Sequence, residues 1–93
     1  MKRLHCTVEF NDGRVLEVDT STADYLRFET TAKRHGWPSM QESPARWEAF
    51  SAWSALERSG LYSGTWEKFL EEVGMVDGVP KKVNPTDPVN TEG

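Results

Sequence analysis

The chain has 93 residues, 15 of them acidic and 11 basic, and carries a net charge of -4, so it has room for one domain around a small core. It contains neither a membrane-spanning run of about eighteen apolar residues nor an amino-terminal apolar stretch resembling a signal peptide, which predicts a cytoplasmic protein. The charges are interspersed without a basic block, which disfavours nucleic-acid binding. Because there is a single cysteine and two distant histidines, the sequence also predicts no disulfide, metal or other cofactor.

Two strands are predicted at the amino terminus by an alternation of apolar and polar residues over positions 4–10 and 14–19. The loop between them decides the register. A two-residue loop would place apolar residues opposite polar ones, whereas a three-residue loop, 11–13, pairs Val8 with Leu16. We therefore predict the three-residue loop, with its glycine left-handed in a bulge.

The first predicted helix begins near Ser21, which caps it together with Asp24 in a variant of the capping box. Its apolar stripe includes Tyr25 and Phe28, at a spacing of three. A basic last turn complements the helix dipole before Gly36 ends the helix.

A second helix is predicted from the Ser43-Pro44 start signal to about Arg58, and Gly60 ends it. More than half of its circumference is apolar or aromatic, so it should lie at the centre of the core. A third, amphipathic helix is predicted from about Thr65 to Val73.

Beyond Gly74 the chain contains three prolines and no aromatic residue, and we expect disorder from about residue 77. The prediction is an α+β fold in which an N-terminal β-hairpin packs on a three-helix unit. The domain should cover residues 1–76, followed by a disordered, proline-containing tail over 77–93.

The sequence shows no pattern typical of catalysis, and we expect the protein not to be an enzyme. Cys6 is on the apolar side of a predicted strand, where a buried thiol is the usual role of cysteine. His35 is explained by the dipole at a helix carboxyl end. The carboxylates of the third helix face water, without the apolar pocket that would separate their pKa values.

Four tryptophans and four phenylalanines are many for so short a chain, and each ring can bury roughly 150–250 Å². We assign Trp53 and Trp66 to the core. For Trp47, about 120° from Trp53 around the helix, and for Trp37 in a loop, the core and an exposed interface anchor remain alternatives.

These residues define a predicted partner-binding site. Trp37, Trp47 and Phe50 are expected to anchor a protein partner. Arg27 and Arg34 are seven residues apart and share a helical face. We expect them to steer acidic segments of the partner, and a simple solvated face is the alternative.

Three segments carry a resemblance to a known family: DYLRFETTAKRHGWP (24–38), WEAFSAWSALERSG (47–60) and TWEKFLEEV (65–73). In this order, after a hairpin, they resemble the small tail assembly chaperones of long-tailed, siphovirus-type, actinobacteriophage-like bacteriophages. The resemblance implies binding to the tape-measure protein, and to the tail tube protein as a second partner, in the host cytoplasm and not in the mature virion. It also implies a longer form made by ribosomal frameshifting near the end of the short frame, and Pro80-Lys81-Lys82 is a candidate for the slippery run of C and A.

Two other functions remain as alternatives. One is a structural virion component, such as a head-tail connector or tail completion protein. The other is a small DNA-binding regulator, but the third predicted helix carries three glutamates and one lysine on its polar face, the wrong sign for a DNA groove.

Overall fold

The computed structural model describes residues 3–80, which form an α+β domain with a three-stranded antiparallel sheet and three helices. The elements follow the chain as β1 (Leu4–Phe10), β2 (Val15–Asp19), α1 (Thr22–His35), α2 (Pro44–Arg58), α3 (Trp66–Glu72) and β3 (Val73–Pro80). The strand order is β2-β1-β3, so β1 is the central strand. The predicted fold class, a hairpin combined with three helices, is confirmed.

The hairpin has the predicted register, with Val8 opposite Leu16. Gly13 closes the loop in the left-handed region, at a φ of 97°, which is a conformation that glycine adopts without a steric cost. The Phe10 amide donates to the carbonyl of Arg14 over 2.8 Å and joins the two strands at the loop. The apolar alternation specified this register because a slip of one residue would turn the apolar side chains of a strand to water.

The helix boundaries agree with the start and stop signals to within about a residue. Helix α1 follows Ser21, whose amide donates to the Asp24 carboxylate over 2.9 Å. Helix α2 begins at Pro44, and Thr65 caps α3 by accepting a hydrogen bond from the amide of Lys68 over 3.1 Å. Helix α3 ends at Glu72, because the next residue already has extended backbone.

The prediction of disorder from residue 77 is wrong for residues 77–80, which form the second half of β3. This strand pairs antiparallel with β1 and places Val76 opposite Val8. The predicted domain boundary after residue 76 therefore cuts through a strand. The remainder of the predicted tail, residues 81–93, lies outside the described residues.

The prolines and the lack of aromatic residues favoured disorder here, and Gly78 gave no signal for a strand, since glycine in a strand usually weakens it. A Cβ at this position would lie 2.7 Å from Oε2 of Glu48 on α2. The same oxygen accepts a hydrogen bond from the Gly78 amide over 2.8 Å. The glycine thus admits a helix side chain to the sheet edge, and that contact cannot be read from the neighbouring residues in sequence.

The core lies between one face of the sheet and the helices. Cys6 and Val8 of β1 are completely buried, as is Leu56 of α2. All residues of α2 from 50 to 56 are buried, which confirms its predicted central position.

Candidate partner-binding groove

An open groove of about 790 Å³ lies between α1 on one side and α2 with the beginning of α3 on the other. The α1 wall extends from Ala23 to His35, which corresponds to about 18 Å at 1.5 Å per residue. Four aromatic residues line the groove: Trp37, Phe50, Trp53 and Trp66. Four of the five predicted partner-binding residues line it as well, namely Arg27, Arg34, Trp37 and Phe50.

The aromatic residues of the groove form a layer of mutually contacting rings. The centroid of Phe50 lies 5.2 Å from those of both Trp53 and Trp66, with the rings edge to face, an arrangement that aromatic pairs favour. Phe50 and Trp53 are buried, whereas Trp37 and Trp66 are only partly buried. The floor is therefore sealed, and Trp37 and Trp66 are the groove's partly exposed aromatic residues.

Trp37 is held in place by contacts on several sides. Its amide donates to the carbonyl of Ala32 over 2.9 Å, immediately after the end of α1. The ring of His35 stacks on the indole at 5.1 Å between centroids, and the guanidinium carbon of Arg46 lies 5.2 Å from the indole centroid. An anchor that is already ordered loses little conformational freedom when a partner binds.

Arg27 has an internal role that the sequence did not predict. Its Nη1 lies 2.6 Å from Oε1 of Glu57, and its guanidinium carbon lies 4.4 Å from the ring centroid of Trp53. Arg27 thus links α1 to α2 at one end of the groove. Because its charge is already matched, we no longer assign to Arg27 the steering of an acidic partner.

Arg34 lies toward the other end of α1 and is exposed. It makes no ion pair with any of residues 3–80, and neither does Glu67, an exposed residue on the opposite wall. Within residues 3–80, each wall of the groove therefore carries one charge that no ion pair matches, a cation on the α1 wall and a carboxylate on the opposite wall.

Asp24 fixes the amino end of α1 against α2. Its completely buried carboxylate accepts hydrogen bonds from Ser54 Oγ over 2.7 Å and from Arg58 Nη2 over 2.8 Å. Burial opposes ionisation of Asp24, but the hydrogen bonds from Arg58, Ser54 and the Ser21 amide outweigh it, so its pKa lies below the ordinary value of 3.8. This ion pair holds the α1 wall in place.

Trp47 does not belong to the groove, and its assignment as an exposed anchor is wrong. It is only 7% exposed and does not line the groove. Its Nε1, like the Oγ of Ser51, is buried without a hydrogen-bond partner among the described residues. The prediction that Phe50 anchors a partner is corrected in a different way. Phe50 is 2% exposed and forms the floor beneath the other rings, so it supports the site and offers little surface to a partner.

Trp66 was assigned to the core from sequence but lines the groove and is partly exposed. Helical side chains lean toward the turn that precedes them. Trp66 is the first residue of α3, so the helix has no preceding turn against which the Trp66 side chain could pack. This position places the ring at the amino end of α3, and its packing against Trp37 and Trp53 from other parts of the chain decides how far it is exposed.

Cys6 lies in the core, in surroundings that make its thiol unreactive. Burial, followed by the negative charge of Glu48, raises the pKa of the Cys6 thiol to about 12, which favours the unreactive protonated form.

Within residues 3–80 no group of three or more His, Cys, Asp or Glu side chains could hold a metal ion. The same residues include no helix that is both long and apolar enough to cross a membrane.

No protein-family model matches this chain, and no curated protein or solved structure is significantly similar to it. Its function is therefore inferred from the geometry of the groove together with the resemblance of the three helical segments.

Proposed function

We propose that this protein is a tail assembly chaperone of a long-tailed bacteriophage. It is a non-catalytic protein that needs no cofactor, binds the tape-measure protein, and takes the tail tube protein as a second partner. It keeps them soluble in the host cytoplasm and does not enter the mature virion. The observation that carries the proposal is the groove, in which Trp37 and Trp66 remain partly exposed above a sealed aromatic floor.

The groove favours a helical partner over an extended one. Its walls are helices, whose backbone amides and carbonyls are bonded within each helix away from the ends, so an extended peptide would gain few main-chain hydrogen bonds there. An amphipathic helix needs only apolar contacts along one stripe. A long helical tape-measure protein has such stripes, which aggregate unless they are covered.

The test is co-expression of the full chain with the tape-measure protein of the same phage, followed by co-purification and measurement of the soluble fraction. Trp37→Ala should reduce both by removing an anchor. The matched control is Leu61→Ala, since Leu61 is 50% exposed but does not line the groove. Equal capture by the wild type and Trp37→Ala, with the variant folded, would remove the groove as the binding site.

Mass spectrometry of purified phage particles separates this proposal from a structural role in the virion. A chaperone leaves when the tail is complete, so the proposal expects the protein in infected cells and not in particles. Stoichiometric amounts in particles would favour a connector or tail completion protein instead.

A further inference from the structure

We infer that the groove determines the direction in which its partner helix lies, and this rests on the proposed function. The occupant is an amphipathic helix that carries carboxylates along one border of its apolar stripe and lysine or arginine along the other. The two borders match the opposite charges of the two groove walls.

The charges of the groove are separated by wall. The α1 wall carries Arg27 and Arg34, whereas the opposite wall, formed by α2 and α3, carries Glu57 and Glu67. Together these are two cations facing two carboxylates across an aromatic floor.

The four charges differ in how far they are already matched. Arg27 and Glu57 neutralise each other at 2.6 Å. Arg34 and Glu67 form no ion pair with any described residue. A bound helix therefore gains most from a carboxylate toward Arg34 and a cation toward Glu67.

The opposite charges of the two walls fix the direction of the bound helix because of a simple geometric property of a helix. When its apolar stripe faces the floor, the left and right borders of the stripe lie against different walls. Turning the helix end for end exchanges the borders. A helix with acidic and basic borders thus matches the walls in one direction and meets like charges in the other.

Two synthetic amphipathic peptides of the same composition test this inference on the full chain. Both are long enough to fill the groove, which spans about twelve helical residues, and the second has its acidic and basic borders exchanged. A nitroxide on each peptide's amino terminus reports direction by broadening the NMR signals of the groove. We expect one peptide to broaden the Trp37 indole and the other to broaden the methyl groups of Leu26, which lines the groove on α1.

Charge reversal sharpens the test. The double variant Arg34→Glu/Glu67→Lys should exchange the directions of the two peptides. The matched control is Lys33→Glu, which also reverses a charge on α1 but at a residue that does not line this groove. A third peptide with lysine on both borders should bind the wild type about two- to tenfold more weakly than the other two, and added salt should reduce the difference.

The outcomes distinguish this inference from the proposed function. If both peptides lie in the same direction, or the double variant leaves the directions unchanged, the inference is wrong, while loss of tape-measure capture in Trp37→Ala would still support the function. If the peptides bind directionally but the tape-measure protein is not captured, the proposed function is wrong.

Two other occupants would also overturn the inference. A second copy would appear as a concentration-dependent dimer in sedimentation that the peptides dissociate. Residues 81–93 of the same chain would appear as intramolecular NMR contacts to the Trp37 indole that the peptides displace.

Discussion

The network of contacting aromatic rings has a buried end, called the closed end, and a partly exposed end, called the open end. At the closed end the rings of Phe10, Tyr62 and Phe69 lie 5.5 to 6.0 Å apart, and all three residues are buried. At the open end Trp37 and Trp66 are 6.2 Å apart and only partly buried. The stacked pair of Trp66 and Phe69 joins the two ends. Rings of similar chemistry thus stabilise the fold at one end and leave a surface for binding at the other, and exposure separates the two roles.

The largest expected effect is at the closed end. Phe69→Ala removes a completely buried ring and should lower the free energy of unfolding by about 3–5 kcal/mol, as measured by urea denaturation. The control is Leu70→Ala, a neighbour on α3 that is 50% exposed and should cost less than about 1 kcal/mol. Similar losses for the two variants would contradict the division into a closed and an open end.

A smaller effect is expected where α1 is fixed to α2. Asp24→Asn removes the charge that Arg58 and Ser54 bind, and it should lower the free energy of unfolding by about 2 kcal/mol. Because Asp24 holds the α1 wall, peptide binding in the groove should weaken as well. If Asp24→Asn were as stable as the wild type but bound the peptides more weakly, the ion pair would serve binding alone.

The lowered pKa of Asp24 predicts that the stability of the protein depends on pH. The pKa of Asp24 is lower in the folded protein than its ordinary value of 3.8, so its contribution to stability is present above that value. It is lost as the pH falls through the folded pKa. Unfolding curves of the wild type between about pH 6 and pH 3 should therefore show a steeper loss of stability than those of Asp24→Asn.

At the open end a substitution should affect peptide binding more than it affects the free energy of unfolding. Trp66→Leu keeps an apolar side chain and should cost about 1 kcal/mol in stability. It removes a partly exposed indole, however, and should weaken peptide binding about tenfold. Isothermal titration and urea denaturation measure the two quantities, and a variant that loses stability but binds normally would place Trp66 in the core.

The smallest effect concerns the outer surface of the sheet, which the groove does not include. The His5 ring hydrogen-bonds to the carboxylates of Asp19 at 2.7 Å and Glu17 at 2.9 Å, and these bonds raise the pKa of His5 above 6.5. The stability contributed by this cluster is therefore full below that pH and is lost as the pH rises through the folded pKa. His5→Gln should reduce the difference in stability between about pH 5.5 and 8.5, while peptide binding to the groove stays unchanged.

The sequence alone was sufficient for the features that depend on neighbours along the chain. The period of two determined the pairing of Val8 with Leu16, and the Ser43-Pro44 signal determined where α2 begins. For Trp37, in a loop between two helices, the sequence left the core and an exposed anchor as alternatives; the ring is partly exposed, and its role as an anchor stays a prediction. Each of these predictions rests on residues within a few positions of one another.

Only the tertiary structure decided the features that depend on residues distant in sequence. Strand β3 exists because the central strand β1 has a second edge to pair, and its Gly78 lies against Glu48 from thirty positions earlier. Trp47 is buried and Trp66 partly exposed, although both lie on helices with similar aromatic patterns. A helical pattern specifies which residues share a face, but whether that face meets the sheet or the groove is set by packing between elements.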